Sequence, residues 1–269
     1  MSRLTLEEVG EEFFNLEEEL KMLDWKIGGI QVWPVFRFEL FRTVLRDSGV
    51  FEFSASGFPP TPLLRTNKIK VLKYLTKLVL SPRILNLVKP FIGQTKVTLV
   101  PFYRRDDQGQ DHLSSHIIEQ FGARGFRIGS GPLDIYLKDQ IHRKELNTVF
   151  AKIYGPFAKA WMKVNSSAAD SKKYEDFTNL LQLRLNFTLT SRQKFPADQF
   201  RQFVGQSWGY RDLFKLENVA TVFCVDAIHP SLIRGAKLAK ARFSEIQHGS
   251  IYPQHPGHNW PYQRGGGYS

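Results

Sequence analysis

The first periodic stretch follows Thr5-Leu6-Glu7-Glu8, which has the form of a capping box, with Thr5 as N-cap and Glu8 at the third helical position. Val9, Phe13, Leu16, Leu20 and Leu23 then recur at spacings of three and four, which predicts an amphipathic helix. Its other face carries Glu7, Glu11, Glu12, Glu18 and Glu19, an acid run expected to lie in solvent. Gly28-Gly29 breaks this helix. Ile30-Gln31-Val32-Trp33 is brief and apolar, and Pro34 is suited to open a second helix from Val35 to Arg46, because its missing N–H is harmless in a first turn. Ser54 to Pro62, with Gly57, Pro59 and Pro60, reads as a loop. From Asn67 to Leu80, Ile69, Leu72, Leu75 and Val79 make an apolar stripe, and Lys70, Lys73 and Lys77 a basic one.

From Gln94 the pattern alternates between short apolar runs and longer amphipathic segments. Strands are predicted at Thr95–Val100, Phe126–Ile128, Val219–Val225 and Phe243–Ile246. Helices are predicted at His112–Phe121, Leu137–Phe150, Tyr174–Thr190, Ala197–Phe214 and Ser231–Lys240, the last initiated by Pro230. Ser166 to Ser171 is a polar break between helices. This alternation predicts parallel α/β units. There is no internal repeat and no extended low-complexity tract.

Composition changes this picture at a few points. The chain has 269 residues, enough for one large or two small domains, and ordinary shares of hydrophobic (42%) and charged (23%) residues. The net charge of +11 is concentrated: residues 53–105 hold ten Lys or Arg and no Asp or Glu. A local basic patch implies an anionic surface or ligand, such as phospholipid, nucleotide or nucleic acid. The basic amphipathic segment suits an anionic membrane surface, and equally a core-packed helix with a solvated lysine face. Cys224 has no cysteine to pair with and sits in an apolar run, which predicts a buried, inert thiol. The acidic start lacks a signal peptide's apolar core, and no apolar stretch reaches transmembrane length, so a cytoplasmic protein is expected.

Candidate chemistry gathers where strands end. Val219–Val225 is followed by Asp226 and, three residues later, His229. The next strand leads into Gln247-His248-Gly249, and His255 and His258 follow. In a parallel sheet both sets leave the same edge, which is where ligands bind in open α/β folds. A histidine there can act as a base or donate a hydrogen bond to a phosphate or sugar, and Gly249 allows close backbone approach. The alternative for each histidine is a structural role. His248, His255 and His258 are spaced unlike any familiar zinc site and no Cys accompanies them, so no metal is expected. Arg104 and Arg105 follow the first strand of the alternating region and can hold an anion; a charged surface loop is the competing account. No Walker-type loop, dinucleotide-binding glycine pattern or nucleophile elbow occurs.

The segment Glu245-Ile246-Gln247-His248-Gly249, with Tyr252-Pro253-Gln254-His255-Pro256-Gly257 and Trp260-Pro261-Tyr262, resembles part of the bacterial glycosyltransferases of capsule and lipopolysaccharide synthesis. Val225-Asp226, the Ala236–Lys240 helix and Ile27–Arg37 are similar too. The resemblance covers Ala220–Tyr262 well and Ile27–Arg37 fairly. It implies a GT-B architecture, of which this chain is the N-terminal, acceptor-side half. The implied fold is a Rossmann-like parallel sheet flanked by helices over 94–262, preceded by a helical, basic region 1–93 and followed by a flexible tail 263–269. It further implies transfer of a sugar from a nucleotide-activated donor to a glycan or lipid-linked acceptor, without a metal or other cofactor.

On this reading His248 and Asp226 are the catalytic candidates. Gln247, Gly249, His229, His255, Arg104 and Arg105 contact substrate, and residues 65–96 meet an anionic membrane surface at its inner face. The second GT-B domain usually binds most of the nucleotide. The chain stops at Ser269, so activity would call for that domain or a partner chain. Two other readings stay open: a non-enzymatic membrane- or partner-binding module, and a nucleic-acid binder. Against the latter, no RNA-recognition motif, zinc finger or clear helix-turn-helix is present.

Overall fold

A computed structural model describes residues 4–50, 96–100, 125–129, 140–191, 193–225 and 230–246. Helix α1 spans Leu6–Glu19 and begins as its sequence dictates: Thr5 N–H donates to Glu8 Oε2 at 2.8 Å, and Glu8 N–H donates to Thr5 Oγ1 at 3.2 Å. Val9, Phe13 and Leu16 are buried. The helix stops short of Leu23 because Lys21 turns left-handed (φ 49°), and Leu23 is instead buried from a short 3-10 turn, Met22–Asp24. The acid face is not wholly solvated: Arg184 donates to Glu12 at 2.9 Å and to Glu19 at 2.7 Å.

Strands β1 (Lys26–Ile27) and β2 (Ile30–Gln31) form a hairpin whose two-residue turn is Gly28-Gly29. Both glycines have positive φ (55° and 80°), as a turn compatible with strand twist demands. Helix α2, Trp33–Asp47, follows with Pro34 in its first turn.

The remaining described strands make one sheet: β3 (Lys96–Val100), β4 (Gly125–Gly129), β5 (Gln140–His142), β6 (Val219–Val225) and β7 (Arg242–Ile246). Their order is β5-β4-β3-β6-β7, and every pairing is parallel. The chain steps outward from β3 through β4 to β5. It then returns to the other side of β3 with β6 and β7, so the direction of winding reverses between β3 and β6.

Helix α3 runs Arg143–Asn165, α4 Ala168–Leu185, α5 Ala197–Leu216 and α6 Pro230–Leu238. Two of these differ from expectation. The helix expected over 137–150 is a three-residue edge strand, β5, followed by a helix that continues through Pro156 to Asn165. The strand is too short to show alternation. Proline forfeits one backbone hydrogen bond, but here packing holds the helix on both sides of it: Leu146, Val149 and Phe150 before, Ala158 and Met162 after. The polar break is only Ser166-Ser167. Ser167 caps α4, its N–H donating to Asp170 Oδ2 at 2.7 Å, and Asn186 ends the helix in the left-handed region (φ 49°).

Most of the buried hydrophobic residues among those described fall into two clusters. One joins α1, the hairpin and α2 to the later half of α3, to α4 and to the start of α5; Trp33, Phe13, Phe177 and Phe200 fill it. The other lies against the sheet and takes Phe150 from α3, Tyr210 and Phe214 from α5, Val222 and Cys224 from β6, and Leu232 from α6. Helices α3 and α5 thus run through both. The chain is an α/β protein with a helical N-terminal portion packed onto its long helices.

Candidate functional site at the carboxyl edge of the sheet

Strand β6 lies between β3 and β7, in register at its end on both sides: Cys224 pairs with Val100, and Val225 with Ile246. The carboxyl ends of β3, β6 and β7 therefore share one edge, next to the reversal of winding. Open parallel sheets bind ligands at this point, because loops there diverge to opposite sides and leave a crevice.

The sequence assigns Arg104 and Arg105 to the chain after β3, Asp226 and His229 to that after β6, and Gln247, His248, Gly249 and His255 to that after β7. All eight lie outside the described residues, as does most of the basic segment 65–96. What the described residues give is the adjacency of the strands from which these positions follow. Cys224, on β6, is fully buried, as its apolar surroundings predict.

Helix α6, which connects β6 to β7, carries a charged group that the sequence reading did not single out. Arg234 retains only 8% of its surface, and its Nε and Nη1 are buried with no hydrogen-bond partner. The burial follows from Gly235. A Cβ there would collide with Tyr210 and stand 3.1 Å from the Ser207 carbonyl and 3.2 Å from the Arg211 nitrogen. Without one, α6 sits close on α5 and brings Arg234 near Arg211. Burial, and secondly the like charge of Arg211, bring the Arg234 pKa down to about 10. Leaving a buried charge uncompensated costs several kcal/mol, on the order of 3–5 when a partner is removed.

Arg211 is itself neutralised. Its Nε donates to Asp212 Oδ1 at 2.7 Å and its Nη2 to Oδ2 at 3.0 Å. Tyr154 on α3 donates its hydroxyl to the same Oδ2 at 2.5 Å. Burial raises the Asp212 pKa, but the hydrogen bonds from Arg211 and Tyr154 outweigh it, and the carboxyl lies below its ordinary range. Burial and then the Asp212 carboxylate push the Tyr154 hydroxyl far above its usual value, so it stays protonated. Lys237, one turn beyond Arg234, is lowered by burial. The signal that could have found this group is a lone cation inside the apolar run Leu232-Ile233-Arg234-Gly235-Ala236.

A buried ion pair holds the N-terminal portion together. Arg37 donates through both Nε and Nη2 to Glu17, the latter at 2.8 Å, and Trp33 donates its indole N–H to the same carboxylate. Gly28 packs against Trp161 and Asn165 of α3, where any Cβ would collide. Gly28, Trp33 and Arg37 therefore have a packing role.

Among the described residues, no group of three or more His, Cys, Asp or Glu is placed to hold a metal ion. None of the described helices is long and apolar enough to cross a membrane. No protein-family model, curated protein or solved structure matches this chain.

Proposed function

We propose that the chain carries the Rossmann-like, acceptor-side domain of a GT-B glycosyltransferase of bacterial surface-polysaccharide synthesis. The observation that carries the proposal is the strand order β5-β4-β3-β6-β7, all parallel, with Val225 and Ile246 paired at the edge from which Asp226 and Gln247-His248-Gly249 follow. Counted from β3, this is the order of dinucleotide-binding sheets, with the reversal between the first and fourth strands. The Gln247-His248-Gly249 element also resembles the loop of those transferases.

In this reading an acceptor hydroxyl attacks the anomeric carbon of a nucleotide-activated sugar. The bond to the nucleotide phosphate breaks, and the hydroxyl proton passes to His248, or to Asp226. Gln247, Gly249, His229 and His255 position substrate, Arg104 and Arg105 meet its charge, and residues 65–96 hold the protein at an anionic membrane where a lipid-linked acceptor resides. No metal is needed, since cationic and hydrogen-bonding side chains stabilise the leaving phosphate.

The test is nucleotide release and sugar transfer over a panel of nucleotide sugars and membrane-extracted acceptors. Assayed together with a donor-binding domain or partner chain, wild type is expected to turn over at least one donor, and His248→Ala to lose about 100-fold or more, the scale of general base catalysis. Equal rates in the two proteins remove His248 from the mechanism. Absence of turnover or donor binding throughout overturns the reading.

A further inference from the structure

Four large apolar side chains stand out in solvent among the described residues, and three of them lie on one helix. Ile153, Phe157 and Val164 on α3 expose 40%, 64% and 83% of their surface; the fourth, Leu183, is on α4. With the exposed Ala160, the α3 residues are spaced four, three and four apart, which sets them in one row along the helix. The far side of α3 is already in use, since Ala158 and Met162 are buried in the N-terminal cluster. The exposed row therefore serves no core.

Lys152, Lys159 and Lys163 are exposed along one flank, roughly 90–130° round the helix from the row at about 100° per residue. None of the three has an ion pair among the described residues. No Asp or Glu occurs between Glu145 and Asp170. The other flank carries Tyr154 and Trp161, both half-buried. A second copy of this face would set lysines against lysines. The chain's own basic segment 53–105, without an Asp or Glu, is no complement either. A coiled-coil partner reads charge on both flanks of its seam, whereas here one flank is charged and the other aromatic. That combination suits a lipid surface: the apolar row enters the acyl boundary, lysine stems snorkel to lipid phosphates, and the rings lie at headgroup depth.

We infer that this face of α3 docks on an anionic membrane surface, with Ile153, Phe157, Ala160 and Val164 inserted and the three lysines against lipid phosphates. α3 is not long and apolar enough to cross a bilayer, so the contact lies in the interface plane. It is separate from residues 65–96 and does not rest on glycosyl transfer. Vesicle binding is measured without any donor, so its failure and that of the enzymatic reading are distinguishable.

The full chain is floated with phosphatidylcholine vesicles, with and without phosphatidylglycerol. Wild type is expected to float with the anionic vesicles and not with the neutral ones, and added salt should weaken the binding. Phe157→Gln combined with Val164→Gln should bind at least about tenfold more weakly, the scale of two apolar side chains lost from an interfacial helix. Lys159→Glu combined with Lys163→Glu should lose at least as much. All four positions are exposed, so both variants should melt near the wild-type temperature, which circular dichroism checks. An environment-sensitive dye on Val164→Cys should shift to the blue with anionic vesicles only; Cys224 is buried and escapes the label. Wild type that ignores anionic vesicles overturns the site and leaves the face to an acidic protein partner. Variants that bind as tightly as wild type, with no dye shift, overturn it too and assign the vesicle contact to another part of the chain.

Discussion

At the residue scale, charge is buried at two places among the described residues, and the two are treated differently. Glu17 and Arg37 are matched: the carboxylate receives Arg37 twice and Trp33 once, and Arg37 also lies over the Phe14 ring at 5.2 Å. Arg37→Met leaves Glu17 buried without its cation. It should cost about 3–5 kcal/mol of stability in urea unfolding, whereas Glu17→Gln combined with Arg37→Met should cost less, because no charge is then left buried. A double variant as unstable as the sum of the single ones would show that the two residues act independently. Arg234 is the contrasting case. There Nε and Nη1 are buried with no acceptor, so the charge is left uncompensated where that of Arg37 is matched.

At the element scale, glycines set how closely the helices approach. On α5, a Cβ at Gly205 would meet Ala158 and Tyr154 at an ordinary 3.6 Å, while one at Gly209 would fall within the Phe150 ring. Two substitutions of identical chemistry on one helix therefore have opposite expected signs. Gly205→Ala should be neutral or stabilising by up to about 1 kcal/mol, the helix-propensity gain. Gly209→Ala should destabilise by about 1–3 kcal/mol in spite of that gain, because Phe150 must leave its position against Tyr210. Thermal unfolding of both variants decides it, and a stabilised Gly209→Ala would mean that α3 and α5 are less tightly packed than described.

At the scale of the whole molecule, the two hydrophobic clusters are joined by covalently continuous helices. α3 contributes Phe150 to one and Ala158 to the other, and α5 contributes Tyr210 to one and Phe200 to the other. Neither cluster can dissolve without exposing a helix that the other requires, so unfolding should be a single transition. Trp25, Trp33, Trp161 and Trp208 all belong to the N-terminal cluster and report on it by fluorescence. Leu232→Ala, in the sheet cluster, should cost about 2–5 kcal/mol and lower the fluorescence midpoint as much as the circular-dichroism midpoint. A Leu232→Ala protein whose fluorescence transition stays where wild type has it would show two independent units.

The sequence by itself determined the local elements wherever a segment's own periodicity or termini carry the information. The Thr5 capping box, the Pro34 start and the bounds of β6 all rest on contacts within a few residues, and all are found, whereas Gly28-Gly29, read as a helix break, turns a hairpin well after the helix has ended at Glu19. The parallel sense of the sheet was also legible, from strands alternating with helices. Tertiary structure decided the rest. β5 exists because β4 offers it a partner, and α3 passes Pro156 because packing on both flanks outweighs one lost hydrogen bond. Of the candidate site, the sequence could predict that Asp226 and Gln247 follow strands of one sheet. Only the pairing of Val225 with Ile246 makes those strands neighbours. Arg234 was legible only as a lone cation in an apolar run, and its lack of a partner was not legible at all. A charge in a helical pattern reads as solvent-facing, and it takes the close seat of Gly235 on α5 to bury it without a partner.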